Sequence, residues 1–298
     1  MKRTEWQPKK RIEADFLRAV NKLFTVFFDK MSGTNLSADV IMGAFRAYCQ
    51  NGNFKAYVNS AASHMATALR VESAATWRQA ANKATRGRMI YQALQKEMQG
   101  PVGYEVREIV HRNAALISSI PHDIAPIINR FIMEQSVKGK RAAEIAETVE
   151  AMTFRPDVDV IRRKIVNLTE GRIAVIARTE TSKATTALTR ARSEDLGLDW
   201  YIWRTSEDVR VRESHRHMHD VLISWKEAPN PEKLINVKSN LGNYHAGDAP
   251  NDRCFPEPVI NIDRVSWPHK VYTGGRIVRM TRAQFASRFL PGEVRRAA

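Results

Sequence analysis

Cysteine is scarce. The chain has two, Cys49 and Cys254, far apart and in unlike surroundings. That excludes a disulfide framework and fits assembly in a reducing cytoplasm. Long apolar runs are also missing. No window approaches 18 uninterrupted apolar residues, so no transmembrane helix is expected. The start, Met1 to Arg11, is charged and is not followed by an apolar stretch, so no secretory signal is expected and no membrane partner at rest. Acidic residues are outnumbered, 32 against 47 Lys and Arg, which leaves a formal charge of +15. No internal repeat with a fixed period is visible.

Hydrophobic residues make up 43% of the 298, enough for a core in one large domain or two modest ones. The positive excess points to a polyanion, an acidic protein surface or a solvated basic face. It is unevenly placed. From Arg264 onward, Arg264, Lys270, Arg276, Arg279, Arg282, Arg288, Arg295 and Arg296 stand against the single acid Glu293. The last six of these arginines are the candidate nucleic-acid contacts.

The pattern along the chain predicts a mainly α protein. Residues 1–12 read as a basic arm without its own core. Residues 13–196 read as a helical, partner-binding region. Ile12, Phe16, Val20, Leu23, Phe27 and Met31 recur at helical steps, as do Phe54, Val58, Ala61, Met65 and Leu69. Further helices are expected over 103–117, 121–135, 140–153, from Arg155-Pro156-Asp157 to an interruption at Gly171, and over 172–195. The texture changes at Gly197. Trp200-Tyr201-Ile202-Trp203 and Val221 to Trp225 read as strands, and 228–258 as a long loop. Val259 to Ile262 and Val271 to Val278, turning at Gly274-Gly275, read as further short strands. Thr281 and Gln284 form a capping-box pattern for a helix over 282–289. Residues 197–298 are therefore expected to form a small α+β module.

The informative stretch runs from Trp203 to His219. A strand ending in Trp leads into Asp208-x-Arg210-x-Arg212-x-x-His215. Upstream lies Arg178-Thr179-Glu180 on a helix, and downstream, past the Pro-rich loop, Arg253-Cys254. In this order the three elements resemble the phage head-morphogenesis domain named after the F protein of phage Mu, over roughly residues 150–262. Two positions depart from that pattern. Asp220 stands where relatives commonly have Gly, and Asp252 where many have a second Cys. The resemblance implies a low-copy virion component inside the head near the portal vertex, assembled in the host cytoplasm. It implies portal protein and other head proteins as partners, non-specific contact with packaged double-stranded DNA, and a role in head assembly, packaging or delivery. On this reading the chain is structural and not an enzyme.

The residues themselves admit other chemistry. His215, His217, His219, His245 and Cys254 offer imidazole and thiolate to zinc, or a hydrogen-bonded network needing no metal. On a strand the three closely spaced histidines would share a face; on a helix His215 and His219 would. Glu180, Asp208, Arg210, Arg212 and His215 contain a general base and an anion clamp for a nuclease-like enzyme, or buried ion pairs bracing a junction. Trp200, Trp203 and Trp225 suit a core better than base stacking. Cys49 reads as a small core residue, and His64, His111 and His122 are isolated. The expectation is that helix 172–195 brings Arg178 and Glu180 to Asp208, Arg210, Arg212, His215 and Cys254 in one polar knot.

Overall fold

The computed structural model describes residues 3–31, 37–82, 87–145 and 158–290. The helix start at Arg155-Pro156-Asp157, the end of the expected helix 140–153, and Arg295 and Arg296 lie outside these residues. The chain divides into two compact units. One comprises Met1–Ile12, Ala66–Ile109 and Arg178–Ala298, the other Glu13–Met65 and Val110–Ala177. The boundary expected at residue 196 falls inside the first unit. Fold class is as the pattern predicts: helices up to Asp195, then a small mixed sheet.

The second unit is helical. It takes α1 (Lys10–Lys30) from Glu13, α2 (Ala38–Gln50), α3 (Gly52–Ala81) as far as Met65, and α5 (Pro101–Ser118) from Val110. It is completed by α6 (Ile120–Ile145) and by α7 (Val158–Asp195) up to Ala177. Its core is aromatic. Phe24, Phe27 and Phe28 on α1 meet Phe45 and Tyr48 on α2 and Phe54 on α3, with ring centroids 5.0 to 5.6 Å apart. The Tyr48 hydroxyl donates to the Leu23 carbonyl at 2.8 Å, so the one polar atom of the cluster is satisfied. Two expected breaks do not occur. Residue 140 lies within α6, which continues from 120 to 145, and α7 runs unbroken through Gly171. A helical glycine costs only about 1 kcal/mol relative to Ala, too little to end a helix of 38 residues.

The first unit holds the sheet. Its order is β3-β1-β2-β4-β5, from β1 (Trp200–Arg204), β2 (Val221–Ser224), β3 (Phe255–Pro258), β4 (His269–Thr273) and β5 (Arg276–Met280). Only β2 and β4 pair in parallel. Strand β3 was hidden in the expected loop because its sequence, Phe-Pro-Glu-Pro, looks unlike a strand. It sits at the sheet edge, paired to β1 alone, where a proline without an N–H is tolerated. Val259 to Ile262 are not a strand; a 3-10 turn occupies Ile262–Arg264. The strands expected around Gly274-Gly275 form the β4–β5 hairpin. Helix α10 (Arg282–Phe289) opens with the expected box: Thr281 Oγ1 accepts from Gln284 N at 3.3 Å, and Gln284 Oε1 from Thr281 N at 2.8 Å.

Alternation along the strands gives this sheet two cores. Tyr201, Trp203, Val221, Ile223 and Tyr272 face one side with Met218, Trp225 and Cys254. Ile202, Leu222 and Val271 face the other, against Phe285 of α10. Trp200 and Trp267 pack on that side too, so the tryptophans serve as core. Within the expected basic arm, Trp6 packs into the first unit. Its ring is buried edge-on against Trp77, 5.2 Å between centroids, because an indole outweighs the charges around it.

Phe45 is fully buried at the centre of the aromatic cluster. Phe45→Ala is expected to lower unfolding stability by about 3–5 kcal/mol, read as a fall in the urea midpoint.

Candidate functional site

Strand β1 ends at Arg204, and the chain returns through Glu207, in a left-handed conformation at φ 56°, to the short helix α8 (Glu213–Met218). The histidine run is therefore mostly helical. At about 100° per residue, α8 turns Ser214, His215 and Met218 inward and leaves Arg216 and His217 in solvent. Asp220 then has φ 62°. That left-handed backbone favours glycine, the residue that the family resemblance leads one to expect there. Asp220 instead pairs with Arg204, whose guanidinium is buried between Asp220 at 2.6 Å and Glu257 of β3 at 2.5 Å. The sequence reading assigned Arg204 no role, since its partners come from two separate segments.

His215 is the hub. Its Nε2 lies 2.8 Å from the Tyr244 hydroxyl, and its Nδ1 lies 3.1 Å from Asp252 Oδ1 and 3.3 Å from Cys254 Sγ. Tyr244 in turn donates to Glu232 at 2.8 and 2.9 Å, and the Ser214 hydroxyl donates to Glu232 at 3.0 Å. Asp252 also accepts from the backbone of Gly247 and Cys254, both at 2.9 Å. Burial alone would raise the Asp252 carboxyl, but the His215 ring and these N–H donors outweigh it and hold it below the ordinary value. Burial pushes the Cys254 thiol well up, so it stays a thiol. Nothing in the sequence marks Tyr244 or Glu232, Ser214 is an unassigned position of the charged run, and Asp252 stands out there only as a departure from the family pattern. Tyr244, Glu232 and Asp252 all lie in the segment that reads as an irregular loop.

Beside the hub lies a cleft of about 200 Å³. Asp208, Arg210, Arg212, His215, Arg253 and Cys254 line it, as does Arg178 from α7. Arg253 pairs with Asp208 at 3.2 Å, and Arg212 donates to the Pro250 carbonyl at 2.6 Å. Asp208 also accepts from Arg210 N at 2.9 Å. Burial works to raise its carboxyl, but these donors, with Ser206 and Arg253, bring it below the ordinary value. Thr179 and Arg178 hold Asn251, the first accepting its N–H at 3.1 Å and the second donating to its side chain at 3.3 Å. Glu180 is buried on α7, 3.6 Å from Lys183, and is not among the lining residues. Of the expected knot, Arg178, Asp208, Arg210, Arg212, His215 and Cys254 thus line one cleft, joined by Arg253. The helix that supplies Arg178 is polar yet buried. Thr185, Thr189 and Ser193 each donate to the carbonyl four residues back at 2.8 Å, which satisfies hydroxyls that face a core.

The five metal candidates do not converge. His217 is exposed. His219, past the end of α8, is held by the Thr205 hydroxyl at 2.8 Å. His245 pairs with the Tyr201 hydroxyl at 3.0 Å. Only His215 and Cys254 meet, and the third donor beside them is Asp252, where the sequence reading saw a missing cysteine. Of the basic C-terminal candidates, Arg276, Arg279 and Arg288 are exposed, while Arg282 is tied to Asp263 at 2.9 Å.

The juxtaposition of Cys254, His215 and Asp252 is not a nucleophile relay. A relay uses one ring nitrogen for the thiol and the other for the carboxylate. Here both partners share Nδ1, and Tyr244 occupies Nε2. With both nitrogens engaged and the ring 2% exposed, His215 is poorly placed as a general base.

Residues 127–255 match the model of a family described as Phage Mu protein F like protein. The match begins and ends earlier than the 150–262 expected from the motifs, and it contains every member of the hub. An uncharacterized protein of Haemophilus influenzae (strain ATCC 51907 / DSM 11121 / KW20 / Rd) is 27% identical over 157 residues, covering 53% of this chain and 30% of that protein. The chain thus spans under a third of that relative's length. No solved structure matches.

Tyr244→Phe removes the hydroxyl that joins His215 to Glu232 and leaves buried polar atoms short of a partner. It is expected to cost about 1–3 kcal/mol of stability, measured by urea denaturation. His245 is pushed down to about 4, first by burial and then by Arg190. The folded state prefers its neutral ring. The stability this contributes is full above the ordinary 6.5 and is lost as pH falls from there toward 4. The His245 ring protons should therefore titrate near pH 4 by NMR; a midpoint near 6.5 would contradict the burial of the ring.

Proposed function

From the match of residues 127–255 to the Phage Mu protein F-like family, we propose that the chain is a minor head-morphogenesis protein of a tailed bacteriophage. The observation that carries the reading is that the family match and the His215 hub coincide. The matched segment ends at Phe255, one residue past Cys254, so the recognisable part of the sequence is the part that builds the braced site. A bracing role accounts for the buried, saturated hydrogen bonds there better than turnover does.

Its partners on this reading are other head proteins, the portal among them, at a vertex inside the particle. Packaged DNA is a further partner. Lys270 and Arg279 lie directly opposite each other on β4 and β5, both exposed. Like charges in that register repel, and a phosphate between them relieves the repulsion. Arg276 and Arg288 extend the same exposed charge. Contacts of this kind position a protein on any sequence and read none.

Quantitative mass spectrometry of purified particles should find the chain in low copy, far below the major capsid protein; its absence from particles would overturn the assignment. In solution, K270E/R279E should weaken duplex DNA binding and flatten the slope of log affinity against log salt by about 2. An unchanged slope would remove these two residues from the DNA contact.

A further inference from the structure

We propose that His215, Asp252 and Cys254 form a three-ligand zinc site whose fourth coordination position faces the arginine-lined cleft. The three donor atoms lie within 4.8 Å of one another, and all three residues are buried. With Zn–N and Zn–O near 2.1 Å and Zn–S near 2.3 Å, a tetrahedral site needs N–O and N–S edges of about 3.3 to 3.6 Å. The edges from His215 Nδ1 are 3.1 Å to Asp252 and 3.3 Å to Cys254. A few tenths of an ångström of spreading admits the ion. Imidazole, carboxylate and thiolate together suit a borderline-soft divalent cation.

The outer contacts point the same way. Tyr244 has one proton and gives it to Glu232, so His215 Nε2 must donate to the Tyr244 oxygen. That chain ends on a carboxylate and fixes the ring, as outer partners of ligating histidines do. A neutral ring protonated on Nε2 then turns the Nδ1 lone pair toward Asp252, acceptor against acceptor. Two carboxylates, Glu232 and Asp252, flank this ring in a buried setting. Without a metal, the Cys254 thiol is the donor that faces this lone pair; a zinc ion held between Nδ1, Oδ1 and Sγ offsets both carboxylates directly. On binding, the Cys254 thiol proton and any proton on Nδ1 leave to solvent, and the Nε2 proton stays on the Tyr244 bond. The arginines at the cleft place positive potential over the fourth position, which suits hydroxide or another anion there. The site stands apart from the head-protein reading, and either can fail alone.

The test uses the full chain produced with zinc in the medium. One equivalent of zinc should survive desalting, measured by elemental mass spectrometry. Replacement by Co²⁺ should give a sulfur-to-cobalt charge-transfer band. Cys254→Ser should abolish the band, while Cys49→Ala and His217→Ala keep it. Asp252→Asn should weaken affinity roughly tenfold or more. If Cys254→Ser does not fold, the wild-type metal content and the band retained by Cys49→Ala still decide the point. Wild-type protein that retains no zinc and shows no charge-transfer band would overturn the proposal. So would a band that persists in folded Cys254→Ser protein or vanishes in His217→Ala.

Discussion

The constraint on which the C-terminal architecture depends is that one imidazole must satisfy two buried carboxylates. His215 joins Asp252 on one side and, through Tyr244, Glu232 on the other. Those partners belong to segments distant in sequence: α8, the short helix Pro231–Leu234, and the loop before β3. The shared ring holds the long segment between β2 and β3 on the sheet together with apolar anchors, among them Trp225, Tyr244, Ala246, Ala249 and Cys254. Close packing holds it as well. Gly247, at φ 90°, would carry any Cβ to 2.5 Å from Thr186 Oγ1 on α7, so only glycine lets the loop approach the helix.

A buried charge acts at the C-terminal end of β1. Arg204 is nearly inaccessible and links Asp220 after α8 to Glu257 on the edge strand. Breaking a pair of this kind costs more than the pair contributes, because a charge is left behind in a poor solvent. His215 and Arg204 therefore work alike. Each ties irregular chain to a regular element through hydrogen bonds to buried or half-buried carboxylates, His215 to α8 and Arg204 to β1.

The basic surface is of a different kind. The charges on β5 and α10 are mostly exposed and face solvent, so they add little to folding. They matter for what approaches the chain. The charge of +15 is in this sense a statement about partners and not about fold.

Local pattern determined a good deal by itself. Helical periodicity, the strand texture of Trp200 to Trp203, the glycine turn of the last hairpin and the Thr281 capping box all concern neighbours in sequence; each element forms, although the helices run on past two of the expected breaks. The charged run from Asp208 to His215 is legible for the same reason, since its residues are neighbours in sequence. Tertiary structure alone decided which side chains meet. It turned His217 outward and His215 inward, left Glu180 off the cleft, recruited Tyr244, Glu232 and Asp252 from a loop without periodicity, and made a strand of Phe255–Pro258 by giving it an edge to pair with. The physical reason is that hydrogen-bond partners across a fold are chosen by distance and burial, and neither is encoded in the spacing of residues along the chain.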